Sequence, residues 1–118
     1  MGLGFRGLQV WNKGMELAIA IYALTAIFPD SEKFGLISQL RRAAVSVPSN
    51  VAEGFARTST GSYVLHLGYA RGSCAEIETQ ILISRAIGLC DLQSSANAER
   101  LNSEVSRMLN AMIRSLRP

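Results

Sequence analysis

QLRRAAVSVPSNVAEGF, residues 39–55, is the stretch whose reading decides the fold. Leu36, Leu40, Ala43, Val47 and Val51 recur every three or four positions and so fall on one face of a helix. Pro48 interrupts this pattern in its middle and Gly54 near its end. An isolated interior proline costs a helix about 3 kcal/mol, so packing on this segment has to offset that cost. At about 100° per residue, two further sectors follow. One is small, with Ser38, Val45, Ala52 and Ala56; the other is a polar strip of Arg42, Ser46, Ser49 and Glu53, flanked by Gln39, Asn50 and Arg57. The small sector invites close approach of another backbone. In the polar strip, Ser46, Ser49 and Asn50 are expected to satisfy backbone groups that Pro48 loosens. Arg42, Ser46, Asn50 and Glu53 are expected to form a structural network, with ligand contact by Asn50 and Glu53 as the alternative.

Working outward, the same 3.6-residue period predicts three more helices and no strand. The first spans roughly residues 8–28, the second 36–57, the third 60–87 and the fourth 94–116. Ser59 or Thr60 caps the third, Gly88 stops it, and Ser94 or Ser95 opens the fourth. The first helix carries two apolar stripes. Val10, Leu17, Ile21, Leu24 and Phe28 form one; Trp11, Met15, Ile19, Tyr22 and Ala26 lie more than a quarter-turn away. A helix apolar around most of its circumference is buried on more than one side. The third has a core stripe and, on its far side, Gly68, Gly72, Ala75 and Thr79. Short connections between four amphipathic helices predict a single all-α domain over residues 1–118, an antiparallel up-down-up-down four-helix bundle.

Composition points the same way. Hydrophobic residues make up 48% of the 118 residues and charged ones only 18%, which excludes a disordered chain and is sparse cover for a small monomer. The longest uncharged run, Leu17 to Pro29, is too short to span a bilayer. Cys74 and Cys90 form no ligand-spaced pair and the first residues have no signal-peptide layout, so a reduced, cytoplasmic protein is expected.

Catalytic patterns are missing. His66 is the single histidine, with no nucleophile placed near it in sequence, and Glu76 and Glu78 fall on different helix faces. No metal site, cofactor or catalytic residue is expected, and a surface or satisfied helix histidine is the expected role of His66. Charge is more informative. Ten of the twelve basic residues are arginine, and the net charge is +3. Arg100, Arg107 and Arg114 repeat every seven residues on the outside of the fourth helix, about 10.5 Å apart along it. This stripe is the candidate nucleic-acid contact; an ordinary solvated helix face is the alternative. Arg41, Arg57 and Arg71 are further candidates.

Several of these residues together carry a resemblance. Trp11 and Tyr22, the segment FPDSEKFGL (28–36), QLRRAAVSVPSNVAEG (39–54) and ARGSCAEIETQI (70–81) resemble the bacterial four-helix bundle protein family. That family includes proteins encoded by intervening sequences of large-subunit ribosomal RNA genes, also labelled S23-type. It also includes the accessory variability determinant of diversity-generating retroelements. The resemblance implies a ring-shaped homo-oligomer, typically a homopentamer, with no enzymatic activity. From the retroelement members it implies binding of RNA or DNA and of a reverse transcriptase. Two functions follow: an oligomeric adaptor that binds nucleic acid through symmetric arginines, or a protein–protein scaffold with no nucleic-acid role.

Overall fold

The proline-bearing helix is continuous. In the computed structural model, which describes residues 2–117, α2 runs Leu36–Phe55 with Pro48 inside it. It is preceded by α1 (Gln9–Thr25) and followed by α3 (Thr60–Ala86) and α4 (Leu92–Leu116). Short 3-10 turns occupy Gly4–Gly7 and Asp30–Glu32, and the described residues contain no strand. None of these helices is long and apolar enough to cross a membrane.

The helix ends have local causes. Proline disfavours helical backbone in the residue before it, so α1 ends at Thr25, short of Phe28. Its last turn tightens, with Ile27 N–H bonded to Leu24 O (3.3 Å) and Phe28 N–H to Thr25 O (3.1 Å). The α4 start lies earlier than Ser94, because Asp91 is the cap. Its carboxylate accepts from Ser94 N–H (2.7 Å) while Ser94 Oγ accepts from Asp91 N–H (3.0 Å), a reciprocal capping box. Those bonds hold the Asp91 carboxyl below its ordinary range. Ser59 caps α3 by accepting from Ser62 N–H (3.1 Å). At its far end Gly88 takes φ +84°, and Leu89 N–H bonds back to Ser84 O (2.9 Å), a left-handed stop. At the α2 start, Glu32 Oε1 accepts from Leu36 N–H (3.0 Å), and a Cβ on Gly35 would lie 2.7 Å from that oxygen.

Four helices surround one core. α1 packs on α2 and α4, and α3 packs on α2 and α4, while α1 and α3 lie diagonally across the core. Leu17, Ile21, Leu40, Val47, Val51, Leu67, Ile77, Ile81, Leu109 and Ile113 are buried at its centre. Gly14 of α1 faces the Pro48 ring, where an added Cβ would reach ordinary van der Waals contact at 3.4 Å from Pro48 Cβ. On the other flank, one glycine sets how closely α2 approaches its neighbour. A Cβ on Gly54 would lie 2.8 Å from His66 Cβ and 3.1 Å from Tyr63 Cδ1 of α3. Neither neighbour atom is the far end of a flexible chain, so the helices would have to separate.

Gly54→Ala is therefore expected to destabilise the fold by about 1–3 kcal/mol through overpacking, despite the better helix propensity of alanine. The urea midpoint of unfolding measures this, and an unchanged midpoint would show that α2 and α3 are not held at this distance by Gly54.

Candidate functional site

The polar strip of α2 divides into two separate clusters. Ser46 Oγ bonds Ala43 O (2.7 Å) and the Ser73 hydroxyl of α3 (2.5 Å), and Asn50 Nδ2 donates to Ser46 O (2.8 Å). No side chain among the described residues donates to Ala44 O, the carbonyl that Pro48 leaves without its usual partner. Ser46 and Asn50 thus bond main-chain carbonyls near Pro48 but not the one it displaces, and Ser49 bonds none among the described residues. The Pro48 ring itself is buried, facing Gly14 of α1.

Glu53 is not joined to Asn50. Its Oε1 accepts from Arg57 Nη2 (2.6 Å) and lies 3.4 Å from His66 Nε2. His66, 9% exposed, faces Ser62 O through Nδ1 at 2.8 Å, which fixes the proton on that nitrogen. Its Nε2 then accepts from Arg57 (3.5 Å) when neutral and donates to Glu53 when protonated. Arg42 is exposed and makes no hydrogen bond or ion pair among the described residues. The expected four-residue network of Arg42, Ser46, Asn50 and Glu53 is thus an Asn50–Ser46–Ser73 chain and a Glu53–Arg57–His66 cluster. Glu53 and Arg57 are an i,i+4 pair, and the contact with His66 depends on the α2–α3 crossing at Gly54, which no local spacing reveals.

The arginines also sort by partner. Arg100 is engaged by Glu104 (2.9 Å) and Asn97 (2.8 Å), and Glu104 also meets Lys13 of α1 at 3.4 Å. Partial burial of Glu104 raises its carboxyl pKa, but the bonds from Arg100 and Lys13 outweigh that and hold it below the ordinary range. Arg107 bonds only the Ser103 hydroxyl (2.6 Å), and Arg114 has no carboxylate partner among the described residues. Arg41 is a clasp for α1: its Nε donates to Thr25 Oγ1 (2.8 Å) and its guanidinium lies 4.5 Å from the Tyr22 ring centroid. Arg57 is occupied by Glu53, and Arg71 donates to Asn110 Oδ1 of α4 (3.0 Å). The α4 stripe is thus basic at Arg107 and Arg114 and neutralised at Arg100.

Two surfaces are apolar. On α1 and α2, Met15, Ile19, Tyr22 and Val45 are exposed, Ile19 by 66%, and Phe34 beside them is 90% exposed. This is the second stripe of the first helix, left uncovered in the single chain. On α3, Leu65 and Tyr69 are exposed beside Gly68 and Gly72, where an added Cβ would meet nothing within 4 Å, and Leu82 and Ile83 are exposed about three turns further along the helix. No three His, Cys, Asp or Glu side chains come together as a metal site among the described residues. Burial pushes the Cys74 thiol up to about 12, which keeps it protonated and unreactive.

Residues 6–111 match the family model of the 23S rRNA-intervening sequence protein. Among curated proteins none matches the chain. A crystal structure of a protein with unknown function from the S23 ribosomal protein family, from Bacteroides thetaiotaomicron VPI-5482, has the same fold. It superposes with a TM-score of 0.82 at 20% identity, over 88% of this chain and 97% of that one.

The Glu53 cluster makes stability depend on pH in a fixed direction. The Arg57 bond, aided by the charges of Arg57 and His66, lowers the Glu53 carboxyl below 4.5 in the folded chain. Ionised Glu53 therefore favours the folded state above its unfolded pKa, and that contribution disappears as pH falls through the folded value. Melting temperatures of wild type and Glu53→Gln should differ at neutral pH and converge between about pH 5 and pH 3. A difference that stays constant across that range would mean that Glu53 gains nothing from the pair.

Proposed function

The chain belongs to the 23S rRNA-intervening sequence protein family, and from that membership and its two uncovered apolar faces we propose that it is a non-enzymatic, self-assembling helical scaffold. The observation that carries this reading is the pair of faces itself. Contiguous apolar surface of this kind marks association sites, and one chain leaves both faces open to water. The faces are unlike in shape. The α1–α2 face is built of large side chains around Ile19, Tyr22 and Phe34, while that of α3 is open at Gly68 and Gly72 beside Leu65 and Tyr69, with Leu82 and Ile83 about three turns further along. Large side chains of one copy fit the open stretch of the next, and a contact between unlike faces repeats head to tail until it closes as a ring. A homopentamer is the ring that the family resemblance implies.

In this reading the subunit is an antiparallel up-down-up-down bundle. The cross-helix pairs support it. Along α2, Gln39, Ser46 and Gly54 meet Gln80, Ser73 and His66 in descending order. From α3 to α4, Arg71, Cys74 and Arg85 meet Asn110, Asn102 and Glu99.

A second reading adds nucleic acid to the ring. It is favoured by Arg107 and Arg114, which no carboxylate neutralises among the described residues, whereas Arg100 is paired. One pair of cations binds phosphate weakly, but a ring repeats it along one polymer and avidity supplies the rest.

Light scattering behind a sizing column should give one defined oligomer for the wild type at micromolar concentration. Ile19→Glu and Ile83→Glu, each charging one face, should each give a helical monomer. A monomeric wild type, or two variants that keep the wild-type mass, would contradict the assembly. For the second reading, the double variant Arg107→Gln/Arg114→Gln should bind long nucleic acid more weakly whatever its sequence, with a shallower salt dependence. Unchanged affinity and slope would leave the scaffold alone.

A further inference from the structure

Between α3 and α4 runs a groove of about 410 Å³ that no other part of this account uses. Its lining includes Arg71, Glu78, Asn102, Ser103, Ser106 and Arg107. The groove is polarised along its length. At one end Arg71 and Arg107 come from facing helices, and neither is in an ion pair with a carboxylate among the described residues. Each has a neutral oxygen acceptor, Asn110 Oδ1 at 3.0 Å and Ser103 Oγ at 2.6 Å, which orients the guanidinium and leaves its charge uncompensated. At the other end stand acceptors. Glu99 is taken by Arg85, but Glu78 is exposed and makes no ion pair.

Asn102 lies between the two ends and is 6% exposed. Its Nδ2 donates to Cys74 O (2.9 Å), so the carbonyl fixes which way the amide faces. Its Oδ1 is buried and has no hydrogen-bond partner. Buried acceptors without a donor are rare. This one lies against a polar groove, and a small turn of the amide toward the groove would let it meet a donor from outside the chain. The anion subsite and the acceptor subsite then describe a single ligand chemistry. It carries a phosphate ester at one end and hydroxyl or amine donors at the other.

We infer that the α3–α4 groove binds a nucleotide unit, with its phosphate on Arg71 and Arg107 and its sugar or base donors toward Asn102 and Glu78. The unit is either a free nucleotide or one residue of a polynucleotide strand. In the second case the inference deepens the nucleic-acid reading and adds a cation, Arg71, that lies on α3 and outside the α4 stripe. Arg71 is exposed, so its replacement by glutamine leaves the core intact.

The test uses the wild-type chain, Arg71→Gln and, as a control away from the groove, Lys33→Gln, with AMP, inorganic phosphate and a fluorescently labelled single-stranded RNA as probes. Titration with AMP should shift the Asn102 side-chain amide signal of the isotope-labelled wild type, and inorganic phosphate should compete far more weakly. Arg71→Gln should weaken AMP binding at least tenfold, while Lys33→Gln leaves it unchanged. If RNA also binds and weakens with Arg71→Gln, the groove holds a unit of the strand. If only AMP binds and weakens, it holds a free nucleotide. RNA that binds equally well to wild type and Arg71→Gln, together with no AMP shift at Asn102, would overturn the groove and leave the α4 arginines as the nucleic-acid contact. Absence of binding by either probe overturns the groove and the nucleic-acid reading together. Inorganic phosphate competing as well as AMP overturns the donor half of the site.

Discussion

The close approach of α2 to both of its neighbours is the constraint on which the rest of the bundle depends. The Pro48 ring packs on Gly14 of α1, and Gly54 of α2 lets the His66 and Tyr63 side chains of α3 come against its backbone. Packing on two flanks holds a helix that carries a proline with no side-chain donor for the carbonyl it frees. The α2–α3 fit sets the pairs that lie further along, Ser46 with Ser73 and Gln39 with Gln80. It also brings His66 within reach of Glu53. Were the α2–α3 spacing wider, His66 would leave this cluster and only the local Glu53–Arg57 pair would remain.

A bundle drawn together by small residues has a consequence for its outside. The large side chains of α1 and α3 exceed what the central core holds, so each helix keeps a second apolar face. On α1 it is Met15, Ile19 and Tyr22; on α3 it is Leu65, Leu82 and Ile83. These two helices lie diagonally across the core within the subunit. In the proposed assembly a copy of the chain would supply the cover, large side chains against glycines. The polar chemistry sits elsewhere, in the α3–α4 groove and along α4, and assembly through the apolar faces would multiply it.

Much of this was legible in the residues, because periodicity reports burial. The core stripe Leu40, Ala43, Val47 and Val51 is buried, and the extra stripe of the first helix is the exposed face of α1. What spacing along one helix does not report is which side chains meet between helices. Asn50 and Glu53 share a sector of α2, yet Glu53 turns to Arg57 and to His66 of α3. Arg100, Arg107 and Arg114 share a period, yet Glu104 and Asn97 occupy the first of them. Arg71 and Arg107 of the α3–α4 groove were each candidates in the sequence, but nothing in it joined them into one site. Asn102 meets Cys74 at 28 positions' separation, and Arg71 meets Asn110 at 39, distances that only the fold closes. The α4 start was displaced for a local reason: Asp91 took the cap, with Ser94 as its partner in the box.

The central claim is that copies join through unlike apolar faces, α1–α2 of one against α3 of the next. Native mass spectrometry of an equimolar mixture of the Ile19→Glu and Ile83→Glu chains tests it most directly, because each chain retains the face that the other has lost. The account predicts a dimer with one copy of each chain and nothing larger, since the remaining faces of that pair are both charged. A mixture that stays monomeric, or that forms dimers of a single variant as readily as mixed ones, would contradict it.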